Sequence, residues 1–148
     1  MENNIINIFL PVEPKAQQRF RFTRTGIKYK DKTQKVNEEC LAYYLQPYVP
    51  DKPLECPLML GIIAYMPIPK SKPKWWKEAA QVGYIRPTSK PDADNLFKNI
   101  ADVMKTMCFF KDDSQICDAT IHKVYSVKGG WSIKLIPIHQ FTRKEWEA

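Results

Sequence analysis

Six of the sixteen acidic residues of this chain lie within 27 residues of one another, and all six are aspartates. They are Asp92, Asp94, Asp102, Asp112, Asp113 and Asp118. Carboxylate oxygens are the hard ligands that Mg²⁺ requires, and the ion usually takes one or two of them together with substrate phosphates. A neighbouring lysine could orient a water molecule or stabilise charge on the scissile phosphate. These residue types are therefore compatible with metal-assisted chemistry on a phosphate ester.

The spacing of these aspartates also has a purely structural interpretation. Asp94, Lys98 and Asp102 are four residues apart and would share one face of a helix, as in an ordinary surface row of ion pairs. Asp92 or Asp94 could cap that helix, and Asp112 or Asp113 could belong to a turn. The pattern alone leaves both interpretations open.

The helix that separates the two aspartate pairs is the strongest secondary-structure prediction in the chain. Residues 93–107 place Leu96, Ile100, Val103, Met104 and Met107 on one face. A helix of this length is about 22 Å long. If the next strand lies antiparallel to it, the turn with Asp112 and Asp113 stays at the far end. The spacing therefore does not place Asp113 beside Asp92.

Two segments resemble the RusA family of Holliday junction resolvases, which are crossover junction endodeoxyribonucleases. The first is KPDADNLFKNIADVM, residues 90–104, and the second is FFKDDSQI, residues 109–116. The combination of KPDxDN with a downstream DDSQI turn is specific, whereas either half alone is weak. The basic segment of residues 14–35 is also similar to that family. Ala93 stands where a larger aliphatic residue is common in the family, which affects local packing more than chemistry.

The resemblance implies a function and a set of site residues. Asp92, Asp94 and Asp113 would ligate a catalytic Mg²⁺, with Asp112 beside them and Mn²⁺ as a substitute metal. Lys98 matches the catalytic lysine of the family. Members act as homodimers on four-way DNA junctions in recombination and repair, make symmetric paired nicks, and are frequently phage-encoded. The histidines, His122 and His139, are not needed as bases.

A net charge of +7 and a pI near 9.2 favour a polyanionic partner. The most basic stretch is residues 15–35, where aromatic side chains alternate with lysines and arginines. This composition suits phosphate contacts along DNA, although a solvated hairpin or loop would show it too. The candidate DNA-binding residues are Lys15, Arg19, Arg21, Arg24, Lys28 and Lys30.

The remaining pattern predicts a single α+β domain over residues 1–148, with a small mixed sheet packed against helices. Strands are expected at 4–10, 58–66, 115–127 and 131–136, and further helices at 34–46 and 73–80. Lys128, Gly129 and Gly130 predict a hairpin turn that pairs the last two strands. The 73–80 helix contains Trp75 and Trp76, which could be core anchors, DNA stackers or dimer contacts.

No stretch is long and apolar enough to span a bilayer, and the first residues lack the positive charge of a signal peptide. We therefore expect a cytoplasmic protein without a membrane partner. Cys40, Cys56, Cys108 and Cys117 form no CxxC pair, which argues against a zinc site and a disulfide framework. We expect them to be reduced and partly buried.

Two alternative functions use the same residues. In the first, the chain is a non-catalytic DNA-binding protein in which the aspartates serve only as caps and turn residues. In the second, it is a basic phage assembly protein whose tryptophan-containing loop binds another protein.

Overall fold

The computed structural model describes residues 4–16, 21–29 and 32–148. In chain order its elements are β1 (Ile6–Leu10), β2 (Arg21–Phe22), β3 (Lys28–Tyr29), α1 (Lys32–Leu45), β4 (Leu58–Pro67), α2 (Lys74–Gln81), α3 (Ala93–Thr106), β5 (Ile116–Ser126), β6 (Gly130–Pro137) and α4 (Arg143–Glu147). Short 3₁₀ turns follow α1 at Gln46–Tyr48 and precede β5 at Asp113–Gln115. The predicted single-domain α+β fold with a mixed sheet is confirmed.

The sheet has the strand order β1-β6-β4-β5. Its central strand, β4, runs antiparallel to β6 and parallel to β5, while β1 runs antiparallel to β6. The predicted hairpin between β5 and β6 is therefore wrong, because β4 lies between them. The prediction rested on the short glycine-rich connection, which favours a tight turn but does not exclude a third strand between the two that it joins.

Helices α1 and α3 pack on one face of this sheet. Leu60, Ile62 and Ala64 of β4 point into the core, as do alternate residues of β1 and β6. The other face carries exposed side chains, including Phe9, Thr120 and Lys134. The fold therefore has two layers, with its core between the sheet and helices α1 and α3.

The two long helices pack through apolar stripes. In α3 the buried apolar residues include Leu96, Ile100 and Met104, as the helical spacing predicts. In α1 the buried apolar residues are Leu41 and Leu45, whereas Val36 is 57% exposed. The core-facing side of α1 is therefore narrower than its apolar spacing indicates.

The cysteines are more exposed than the sequence suggests. Cys40, Cys108 and Cys117 are exposed, and only Cys56 is half-buried; all four are free thiols. The prediction that the cysteines are partly buried is confirmed for Cys56 alone. Cys40 is exposed because it lies on the outer side of α1, and Cys117 because it lies on an edge strand. Within the described ranges, no helix is long and apolar enough to cross a membrane.

Candidate active site

Asp92 and Asp94 lie at the N-terminus of α3, and both are exposed. Asp92 occupies the N-cap position, and its backbone carbonyl accepts a hydrogen bond from the amide of Leu96 at 3.0 Å. Its side chain makes no capping hydrogen bond. The partial positive charge of a helix N-terminus favours negative charge at this place. Two exposed carboxylates thus lie at the start of the helix, and that of Asp92 does not cap it.

Lys98 lies one turn beyond Asp94 and is also exposed. The described residues include no ion pair between Asp94 and Lys98 within 4.0 Å. The interpretation of this row as an ion-paired surface ladder therefore does not hold for its first pair. Asp92 and Asp94 stand at the start of α3, and Lys98 follows within the first half of the helix.

Asp112 and Asp113 form a turn just before β5. The Oδ1 atom of Asp112 accepts from the amide of Asp113 at 3.0 Å, and its Oδ2 atom accepts from the Ser114 hydroxyl at 2.7 Å. The Lys105 ammonium lies 2.9 Å from Asp112 Oδ1. The Ser114 hydroxyl, followed by the Lys105 ammonium, holds the pKa of Asp112 well below its usual value. Asp112 in turn raises the pKa of Lys105. The structural interpretation is thus confirmed for Asp112, which caps this turn.

Gln115 fastens the same turn to the rest of the protein. Its Oε1 atom accepts from the amides of Lys111 and Asp112, both at 2.9 Å. Its Nε2 atom donates to the carbonyls of Leu54 at 2.8 Å and Cys56 at 3.0 Å. All the hydrogen-bonding groups of one side chain are therefore used to hold the turn. This role of Gln115 is not predicted from the sequence, although the residue lies within the DDSQI motif.

The two aspartate pairs stay apart within one chain. β5 runs back along α3. This direction is shown by a hydrogen bond of 2.8 Å from Lys123 Nζ, near the end of β5, to the carbonyl of Ser89, just before α3. The fourteen residues of α3 span about 21 Å. The part of the chain that the structure describes has no group of three or more His, Cys, Asp or Glu side chains placed to hold a metal. Asp113 therefore does not join Asp92 and Asp94 in the single chain.

The basic segment begins against the same helix. Asn99, fully buried on α3, donates through Nδ2 to the carbonyl of Lys15 at 3.1 Å. The sequence signal for Asn99 is a polar residue within the apolar stripe of α3. This hydrogen bond places the start of the basic segment against α3, at the residue that follows Lys98.

Residues 21–29 of the basic segment form the two-stranded hairpin β2–β3, and Lys32 and Lys35 lie in α1. The turn of the hairpin is closed by the amide of Gly26, which donates to the carbonyl of Thr23 at 2.9 Å, with Gly26 at φ +83°. Arg24 and Lys28 are exposed there, and Arg21 lies in β2. Arg19 and Lys30 lie outside the described residues. A hairpin is one of the two structures that the sequence predicts here.

Comparison with known proteins gives consistent results. A family profile described as "Endodeoxyribonuclease RusA" matches residues 11–136. The chain is 35% identical over 119 residues to "Uncharacterized protein YqaN" of Bacillus subtilis (strain 168), covering 77% of this chain and 83% of that protein. It is 34% identical over 93 residues to "Crossover junction endodeoxyribonuclease rusA" of Lactococcus phage r1t, covering 60% of this chain and 64% of the phage protein.

Proposed function

The chain belongs to the RusA endodeoxyribonuclease family, and from that premise we propose that it is a Mg²⁺-dependent enzyme that resolves four-way (Holliday) DNA junctions. As a family member it is a nuclease. We further propose that it makes paired symmetric nicks as a homodimer, in recombination and repair in the cytoplasm of a bacterial or phage-infected cell. The observation that carries the proposal is the exposed pair of carboxylates at the start of α3 with Lys98 one turn away.

Asp92 and Asp94 fit the role of Mg²⁺ ligands. Mg²⁺ is commonly bound by one or two carboxylates, with substrate phosphates and water completing its octahedron. The Asp92 side chain does not cap α3, and both carboxylates are exposed, so both are accessible to a metal and to DNA. When bound, the ion would supply Lewis-acid activation of the scissile phosphate and of the attacking water. Mn²⁺, which accepts the same oxygen ligands, is expected to substitute.

The other residues of the proposed site bind and orient the substrate. Lys98 would hold the scissile phosphate and offset the charge that develops on it. The side chains of Lys15, Arg19, Arg21, Arg24, Lys28 and Lys30 would contact the DNA backbone on either side. The hydrogen bond from Asn99 to Lys15 supports this division, because it ties the beginning of the basic segment to the helix that carries Lys98.

Asp113, with Asp112 beside it, is proposed to complete the ligand set from a second copy of the chain. The length of α3 separates this turn from Asp92 and Asp94 in one chain. In a two-fold dimer, the start of α3 of one chain can face the Asp113 turn of the other, and symmetry repeats the same contact with the two chains exchanged. A homodimer with two such sites would place one nick in each of two strands. We therefore propose a composite site, with Asp92, Asp94 and Lys98 from one chain and Asp113 from its partner.

The first experiment separates the nuclease from a non-catalytic DNA-binding protein on the same scaffold. A synthetic four-way junction is incubated with the protein in Mg²⁺ or Mn²⁺, and nicks are mapped on each strand. Asp94→Asn is expected to abolish cleavage while junction binding persists or tightens, because one repulsive carboxylate has been removed. Asp118→Asn, which changes an exposed aspartate outside the proposed site, should cleave as wild type does. Failure of the wild-type protein to cut at any metal concentration would refute the enzymatic proposal.

The second experiment tests the composite site by complementation. Asp94→Asn and Asp113→Asn chains, each inactive alone, are co-expressed with different tags so that mixed dimers can be purified. If Asp113 acts across the dimer, each mixed dimer holds one intact site and nicks at about half the wild-type rate. If both aspartates act within one chain, every site in the mixed dimer is defective and no nicking returns.

A further inference from the structure

Residues 67–90 connect β4 to α3 and contain α2. The positive charge of this segment has no role in the active site proposed above. We refer to these residues as the α2 segment. It contains six basic residues and one acid, Glu78. Glu78 lies 3.9 Å from Lys74 in an exposed ion pair, which is worth little in water. The segment therefore carries an excess of positive charge, most of it in residues 70–77.

The two adjacent tryptophans of α2 have different environments. Trp76 is half-buried, with its ring 5.3 Å from that of Tyr125 and the Lys72 ammonium 5.0 Å from its centroid. Trp75 is 66% exposed, and Tyr84, just after the helix, is 87% exposed. Trp76 is thus the anchor that fixes α2 to the sheet. Trp75 contributes little to the core, and its large apolar surface remains open to a ligand.

The position of α2 relates this open tryptophan to the candidate active site. Tyr125, which holds Trp76, lies two residues along β5 from Lys123, a separation of about 7 Å. Lys123 hydrogen-bonds to the carbonyl of Ser89, three residues before Asp92. Helix α2 therefore lies near the N-terminus of α3, where Asp92 and Asp94 are located.

We propose that the α2 segment is a second DNA-contact surface, in which Trp75 stacks on a base exposed at a branch point while Lys70 and Lys74 contact the flanking phosphates. Aromatic rings bind unstacked bases through their π-faces without regard to sequence, and adjacent lysines follow the backbone. Bases within a continuous duplex are already stacked and paired, so this contact distinguishes branched from linear DNA. The inference rests on the proposed function, because it takes branched DNA as the substrate.

Binding without metal tests this inference independently of cleavage. Fluorescence anisotropy in EDTA gives the Kd of a four-way junction and of a linear duplex for wild type, Trp75→Ala, Trp75→Phe and Trp146→Ala. Trp146 is a matched control, because it is 80% exposed on α4, outside the α2 segment. Trp75→Ala should weaken junction binding by about tenfold or more and leave duplex binding nearly unchanged. Trp75→Phe should restore most of the loss, and Trp146→Ala should match wild type.

Two additional measurements distinguish stacking from other effects. A 2-aminopurine placed at the branch point should change in fluorescence when wild-type protein binds, and should not change with Trp75→Ala. The double variant Lys70→Gln/Lys74→Gln should lower the slope of log K against log salt by about two. Equal junction affinity of Trp75→Ala and wild type would overturn the inference and favour a protein partner for this surface. An equal loss for junction and duplex would also overturn it.

The outcomes separate this inference from the nuclease proposal. If wild type cuts the junction and Trp75→Ala binds it normally, the proposed function stands and the inference fails. If wild type cuts nothing, yet Trp75→Ala selectively loses junction binding, the inference stands and the nuclease proposal fails. The melting temperature of each variant, measured alongside, should stay at the wild-type value because the substituted side chains are exposed.

Discussion

Replacing Gln115 by alanine should destabilise the turn that carries Asp112 and Asp113. The side chain of Gln115 makes four hydrogen bonds, to the amides of Lys111 and Asp112 and to the carbonyls of Leu54 and Cys56. Three of these are part-buried, and the one to the Lys111 amide is exposed. The variant leaves every one of these backbone groups without its present partner.

The size of the effect follows from the number of part-buried hydrogen bonds. Each contributes about 1 kcal/mol to the free energy of unfolding, whereas water readily replaces the exposed one. Their loss should therefore cost about 3 kcal/mol. For a domain of this size, that corresponds to a fall of about 6–12 °C in melting temperature.

Thermal unfolding followed by circular dichroism measures this cost. Ser114→Ala is the control, since it removes only the exposed hydrogen bond to Asp112 and should lower the free energy of unfolding by less than about 1 kcal/mol. Gln115→Glu keeps the size of the side chain but turns a carboxylate toward the carbonyls of Leu54 and Cys56. It should be at least as unstable as the alanine variant. A Gln115→Ala protein that melts within about 2 °C of wild type would refute this account of the turn.

Two further predictions concern Asp112 and Gly130. Because the Ser114 hydroxyl and the Lys105 ammonium hold the pKa of Asp112 below its usual 3.8, its ionised form stabilises the fold above about pH 4 and that contribution is lost as the pH falls further. Wild type should therefore melt above Asp112→Asn at pH 7, and the difference should shrink by pH 2–3; a constant difference would contradict this. A Cβ at Gly130 would lie 3.0 Å from the carbonyl oxygen of Leu10 and 3.2 Å from the Phe9 ring, so Gly130→Ala should cost about 1–3 kcal/mol in urea unfolding. A variant with the wild-type urea midpoint would show that the β1–β6 edge adjusts without strain.

Much of the fold follows from patterns that are local in the sequence. The apolar stripe of α3 and the apolar runs of β1 and β4 give their positions to within a few residues, because each pattern reports a face or a strand buried on the core. The order of the strands in the sheet cannot be predicted from such local patterns. The glycines before β6 favour a tight turn, but nothing in that turn shows that β4 occupies the place between β5 and β6.

The candidate site likewise has features that sequence neighbours predict and one feature that depends on the whole fold. Asp92 and Asp94 lie at the start of a helix and Asp112 lies in a turn, as their neighbours in the sequence predict. The separation of the two pairs depends on β5 running back along α3, which is a property of the whole fold. The resemblance to a family names the residues of a ligand set, but it does not tell which chain supplies each one.

The strand order also constrains how the molecule reaches its folded state. β1 pairs with β6 alone in the described sheet, and β6 also pairs with β4. The partner of residues 6–10 therefore lies more than 120 residues further along the chain. Such distant pairings cost loop-closure entropy before any contact offsets it, so the sheet should assemble slowly. A nascent chain that has not yet exposed residues 130–137 has no strand to join β1 to β4, and the protein acquires its complete core only after that segment is synthesised.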